Sequence, residues 1–166
     1  MYKRQVDLGF DCPLDLHCSY TREQLLVAMD FMKPSIVREG VKWLPDKNID
    51  VFFITLNKSD KDYSPTTMYQ DYSINETLFH WQSQSTTNAE GKVGQRYINH
   101  RKNGSKVLLF VREFKNDIYG NTAPYTYLGT ANYVSHNGSR PMNITWKLDD
   151  PIPAKYLKKT NKLVVG

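Results

Sequence analysis

The sequence predicts an α+β fold: a mixed sheet, strongly curved or closed into a small barrel, with flanking helices. Three observations predict it. Short strand-like segments recur along the chain, helical segments occur near each end, and a long stretch between them lacks periodicity. At 166 residues, the chain has the usual size of one domain and can bury roughly two-thirds of the surface its unfolded form exposes. One unit, residues 1–166, is expected, excised from a larger multidomain protein because both ends are abrupt.

The first helix opens at Thr21, because Thr21-Arg22-Glu23-Gln24 has the capping-box form. Leu25, Met29 and Met32 then follow at helical spacing, and Pro34 ends the helix. Val41 and Trp43 alternate with Lys42, Pro45-Asp46-Lys47-Asn48 turns the chain, and Val51–Leu56 is a continuous apolar run. These segments predict a hairpin whose second strand is buried on both faces. The polar stretch from Asn57 to about Asn75 has no clear period. Leu78–Ser85 is extended, a short helix runs from about Lys92 to His100, and Asn103-Gly104 turns into the strand Val107–Val111. The strongest local signal is a final hairpin with Asn137-Gly138 as a two-residue turn, because Met142, Ile144, Trp146 and Leu148 alternate with Asn143, Thr145 and Lys147. A last helix follows Pro153.

The net charge of +5 favours a polyanionic partner. Arg96, His100, Arg101, Lys102 and Lys106 crowd one segment, and Lys155, Lys158, Lys159 and Lys162 crowd another. Such clusters suit a phosphate backbone, whose neutralisation supplies most non-specific nucleic-acid affinity, although a solvated face has the same composition. No apolar stretch approaches the ~20 residues of a membrane-spanning helix, and no export signal opens the chain, so a soluble cytoplasmic protein without membrane partners is expected.

No catalytic centre, metal site or cofactor site is expected. Cys12, His17 and Cys18 lack a fourth ligand and a familiar spacing, so both cysteines read as reduced thiols. Asp149-Asp150 at a strand end reads as a solvated turn. His100-Arg101-Lys102 resembles the start of the phospholipase-D-type nuclease motif, but Val107 stands where that motif needs an aspartate. Gly-rich phosphate loops, metalloprotease helices and nucleophile elbows are missing from the sequence.

What remains is a central group of aromatic, amide and hydroxyl side chains: Tyr69, Asp71, Tyr72, Phe79, Trp81, Gln82, Ser83 and Gln84. A flipped nucleobase needs flat apolar walls and directed hydrogen bonds at its edge. Asp71 suits the exocyclic amine of cytosine, and Gln82, Ser83 or Gln84 suits the ring nitrogen and carbonyl. The competing reading is strand alternation, with Phe79 and Trp81 in the core and Gln82 and Gln84 in water.

Val51–Lys58, Leu78–Ser85, Val107–Glu113, Tyr127-Leu128-Gly129 and Gly138–Met142 together resemble the C-terminal domain of bacterial helicase-containing proteins long catalogued without a function. The likeness runs from about Leu16 to Pro153, and Phe79–Ser85 is its most distinctive part. In type IV restriction enzymes of the SauUSI type, that module accompanies a phospholipase-D-type nuclease and a helicase. The resemblance implies an SRA-like, PUA-related barrel that binds double-stranded DNA, everts a 5-methyl- or 5-hydroxymethylcytosine and directs the helicase and nuclease domains of the same parent chain. A module that binds nucleic acid by shape and phosphate, or docks onto protein, is the alternative.

Overall fold

The structure, a computed structural model, describes residues 5–34, 40–57 and 71–160. Among these, the elements in chain order are β1 (Ser19–Tyr20), α1 (Arg22–Ala28), β2 (Val41–Leu44), β3 (Ile49–Asn57), β4 (Tyr72–Ser73), β5 (Leu78–Gln82), α2 (Lys92–Ile98), β6 (Lys106–Phe114), β7 (Tyr125–Asn137), β8 (Asn143–Leu148) and α3 (Ala154–Thr160). No helix among the described residues is long and apolar enough to cross a membrane.

The strands form one mixed sheet in the order β2-β3-β6-β7-β8-β5-β4, and β1 pairs with the start of β7. Among the described strands only β3 and β6 run parallel; the other pairs are antiparallel. The α+β class with a mixed sheet therefore holds, but the expected barrel or strongly curved sheet does not. Among the described residues nothing joins β2 to β4, so the sheet is open, and the SRA-like, PUA-related barrel is corrected with it. The physical reason lies in the lengths of the strands: β4 is a two-residue edge strand and β2 has four residues, too little ladder to close a ring.

Two apolar clusters, one on each face, hold the sheet. On the first face Phe52, Ile54, Phe79, Trp81, Leu109, Ile144 and Trp146 pack with Tyr97 of α2, and Tyr156 and Leu157 of α3 close over them. On the second face Leu25 and Leu26 of α1, with Leu8 and Leu14, cover Val51, Phe53, Leu108 and Phe110. This double coverage explains why β3 reads as an unbroken apolar run: both of its faces are buried. Beyond β7, only the first face is covered. Strand β5 accordingly alternates, burying Phe79 and Trp81 and leaving Leu78, His80 and Gln82 half-buried on the other side.

The Thr21 capping box forms as expected: the Gln24 N–H donates to Thr21 Oγ1 and the Thr21 N–H donates to Gln24 Oε1. The helix is shorter than its spacing suggested, because Asp30 takes a φ of 64° directly after the Met29 cap. The last hairpin also differs. Asn137 pairs with Asn143, so residues 138–142 form the loop in place of a two-residue Asn-Gly turn. The longer loop reaches the 83–89 segment, where the Arg140 N–H donates to the Thr87 carbonyl (2.8 Å) and the Met142 N–H donates to Ser83 Oγ (2.8 Å).

Candidate nucleic-acid interface

Strand β7 outruns its neighbour. Its pairing with β6 ends at Ala131↔Val107, whereas its pairing with β8 continues to Asn137↔Asn143. The overhang would leave backbone groups of β7 unpaired on that edge, and the turn after α2 takes two of them. The Tyr133 N–H donates to His100 Nε2 (3.0 Å), and Arg101 Nη2 donates to the Tyr133 carbonyl (3.0 Å). Because Nε2 accepts, the His100 proton lies on Nδ1, which donates to the Ser105 carbonyl (3.2 Å). His100 is thus a buried neutral clasp between the basic turn and the ribbon, and not a phosphate contact as expected.

Burial lowers the His100 imidazolium from the ordinary histidine range; the Ser105 hydrogen bond opposes this, and the Arg101 charge adds to it. The unfolded chain therefore takes up a proton first as pH falls. The clasp's contribution should be complete above about pH 6.5 and decline below it, by at most ~1.4 kcal/mol per pH unit, until the folded-state value is passed. Urea unfolding between pH 7.5 and pH 5 should show a shallower pH dependence in His100→Phe than in the wild type; equal slopes would remove the assignment.

Of the other expected backbone contacts, Arg96 is committed elsewhere. Its Nε and Nη2 donate to both oxygens of buried Asp50 (2.9 and 2.8 Å), and its guanidinium lies over the Trp43 ring at 4.7 Å. That geometry is a structural ion pair. Arg101 and Lys102 are exposed and Lys106 is half-buried, so these three retain cationic surface. Lys155 is exposed, the side chains of Lys158 and Lys159 lie outside the described residues, and Lys162 does so entirely.

Among the described residues, the side chains expected to form the base pocket are not brought together. Tyr69 lies outside the described residues. Phe79 and Trp81 are core side chains, with Trp81 stacked on Phe52 at 4.2 Å and edge-on to Tyr97 at 5.5 Å. Tyr72 and His80 stack on each other on the opposite face at 4.8 Å. Asp71 is buried and accepts the Gln82 N–H (2.8 Å), Gln82 donates to Asn143 (3.2 Å), and Ser83 and Gln84 hold loop backbone and the Tyr97 hydroxyl. Walls and edge-binding groups are therefore divided between two faces of an open sheet. Base eversion into a barrel pocket is corrected on that ground.

Among the described residues, no cluster of His, Cys, Asp and Glu could hold a metal ion. Cys12 and Cys18 are free thiols. Asp150, expected in a solvated turn, is buried near Gly129, where an added Cβ would crowd Leu16 Cδ1 at 3.0 Å and meet the Asp150 carboxylate only at ordinary contact distance.

What the structure does assemble is a mainly basic end, whose Arg101–Lys102 half the sequence flagged and whose ribbon half it did not, with Asp149, held by Thr130 and Asn132, and exposed Glu90 at its margin. Residues 91–112 and 118–148 contain no Asp or Glu, and the Tyr133 clasp joins these two acid-free stretches in space. The ribbon beyond Ala131 presents Ser135, His136, Asn137, Ser139 and Arg140, all exposed, beside Arg101 and Lys102. A register shift between Tyr133 and Ser135 makes Val134 the extra residue of a bulge and leaves it 49% exposed. The signal available in the sequence was the absence of carboxylates over long runs.

Residues 14–159 match the family described as Domain of unknown function (DUF3427). The chain belongs to the DUF3427 family. No curated protein matches it. The DUF3427 match contains all the strands of the open sheet and the first core, so the ribbon and its clasp lie inside the family's domain, whereas Leu8 and Cys12 of the second core precede it.

Proposed function

We propose that this DUF3427 domain is a DNA-binding target-recognition module whose β7–β8 ribbon enters the major groove. The observation that carries the reading is the union of the two acid-free stretches at one end of β7, with Arg101, Lys102, His136 and Arg140 around a protruding two-stranded ribbon. A two-stranded ribbon fits the major groove, where arginine and asparagine read guanine and adenine edges and apolar side chains contact a C5 methyl. Val134 is the apolar group at that place. This geometry supports recognition of 5-methylcytosine or 5-hydroxymethylcytosine in intact duplex, without eversion. Service to a helicase and nuclease of the same parent chain is supported by the resemblance to the SauUSI-type C-terminal module.

The test is a titration of duplexes carrying plain, methylated or hydroxymethylated cytosine at several salt concentrations. Each phosphate contact contributes about 0.9 to the log–log salt slope. Arg101→Ala, Lys102→Ala and Arg140→Ala combined should lower that slope by about 2 to 3 and weaken binding roughly tenfold or more on every duplex. Val134→Ala should reduce only the preference for the modified duplexes. Equal wild-type affinity for all three duplexes would leave a shape- and phosphate-directed module. An unchanged salt slope in the triple variant would remove the ribbon as the DNA contact.

A further inference from the structure

The other end of β7 carries a loop of opposite character. Between β6 and β7, Asn116 bridges to Thr122, the Asp117 N–H donates to the Asn121 carbonyl (2.7 Å), and the Ala123 N–H donates to the Lys115 carbonyl (2.9 Å). One Asp117 carboxylate oxygen accepts the N–H groups of Tyr119 and Asn121, each at 2.9 Å. The tip is therefore fixed by its own hydrogen bonds. On it stand Ile118, 91% exposed, and Tyr119, 81% exposed, with Phe114 exposed at the base. A stiff loop that holds two large apolar side chains in water gains nothing for the folded domain itself. The loop itself walls one side of a groove of about 410 Å³: Asp117 and Ile118 line it together with Leu56, Val111, Leu128 and Tyr156.

We propose that this finger and groove form a self-association site: the Ile118–Tyr119 tip of one copy seats in the groove of a second copy, and the second tip seats in the first groove. A two-fold contact requires finger and acceptor on the same patch of one molecule, and here they adjoin. The charges select the occupant. Lys115 is exposed between Glu113 and Asp117, and Arg112 is already held by Thr55, the Ala123 carbonyl and the Tyr125 ring, so a rotated copy can set its Lys115 against a carboxylate, whereas a nucleic acid or an anionic lipid surface would meet two carboxylates. The fixed tip also loses little conformational freedom on seating, and tyrosine is among the residues that dominate such contacts. This surface is at the far end of β7 from the cationic ribbon, so the inference stands apart from the DNA reading.

Sedimentation equilibrium of the full chain from about 1 μM to about 1 mM covers the range of weak specific association. The wild type should move from monomer towards twice the monomer mass. Ile118→Asp with Tyr119→Asp should stay monomeric throughout and keep the wild-type unfolding temperature, because both positions face water. Ala123→Trp, which fills the groove beside an intact finger, should also abolish the dimer. A wild type that is monomeric over the whole range overturns the proposal, as does a dimer that survives the finger substitutions. A folded Ala123→Trp variant that still dimerises overturns it equally.

Discussion

Trp81→Ala should cost roughly 3–5 kcal/mol of stability and leave the DNA affinity of the folded protein unchanged. The ring is 4% exposed, stacked on Phe52 at 4.2 Å, edge-on to Tyr97 at 5.5 Å and tilted against Trp146 at 6.5 Å. Those neighbours are themselves large rings in one cluster, which cannot collapse into the space a methyl group would leave. For a chain of this size, each kcal/mol corresponds to about 2–4 °C, so the melting temperature should fall by roughly 6–20 °C. Thermal unfolding and a duplex titration at low temperature measure the two effects separately. Lost DNA binding with an unchanged melting temperature would return Trp81 to a base-stacking role.

Asp50→Ala should be comparably destabilising, by about 3–5 kcal/mol, because it leaves the Arg96 guanidinium without its counter-ion. Asp50 is fully buried, and the Arg96 side chain is 19% exposed over Trp43. Burial raises the Asp50 carboxyl above the ordinary range, and the Arg96 hydrogen bonds and charge hold part of that rise back. The pair therefore stands or falls together. Asp50→Leu with Arg96→Met, which replaces both charges by apolar groups, should be markedly more stable than Asp50→Ala alone in urea unfolding. If the double variant is no better than the single one, or the single one costs under about 1 kcal/mol, the ion pair is not what holds α2 to the sheet.

Much of the fold was legible because its signals are local. Thr21 and Gln24 form a capping box from four consecutive residues, and the alternation of buried Ile144, Trp146 and Leu148 with Asn143, Thr145 and Lys147 survives intact in β8. Sheet closure was not legible. Whether β2 meets β4 depends on strand order, and the parallel β3–β6 pair joins segments separated by more than forty residues. β1 and β4, of two residues each, were too short to show a period. The family was partly legible, since the resemblance over about Leu16 to Pro153 falls inside the matched residues 14–159.

The candidate site was less legible, because residue type does not state direction. Phe79 and Trp81 have the composition of a base clamp, yet strand alternation sends both inward. Arg96 and Arg101 look alike in sequence, but one is paired with Asp50 and the other lies at the exposed ribbon. A clue to the difference was Asp50 itself, a carboxylate directly before an apolar run, which calls for a buried cation somewhere else in the chain.

An open sheet has two borders, and here both are brief: four residues at β2 and two at β4. An intruding strand could copy only a few rungs of hydrogen bonds at either border before its template ran out. Fibril growth needs a long, flat, continuous lip; among the described residues β2 and β4 themselves offer none, and β3 runs on past β2 only from Ile54 to Asn57. Copies crowded together can therefore add few rungs at β2 or β4 themselves.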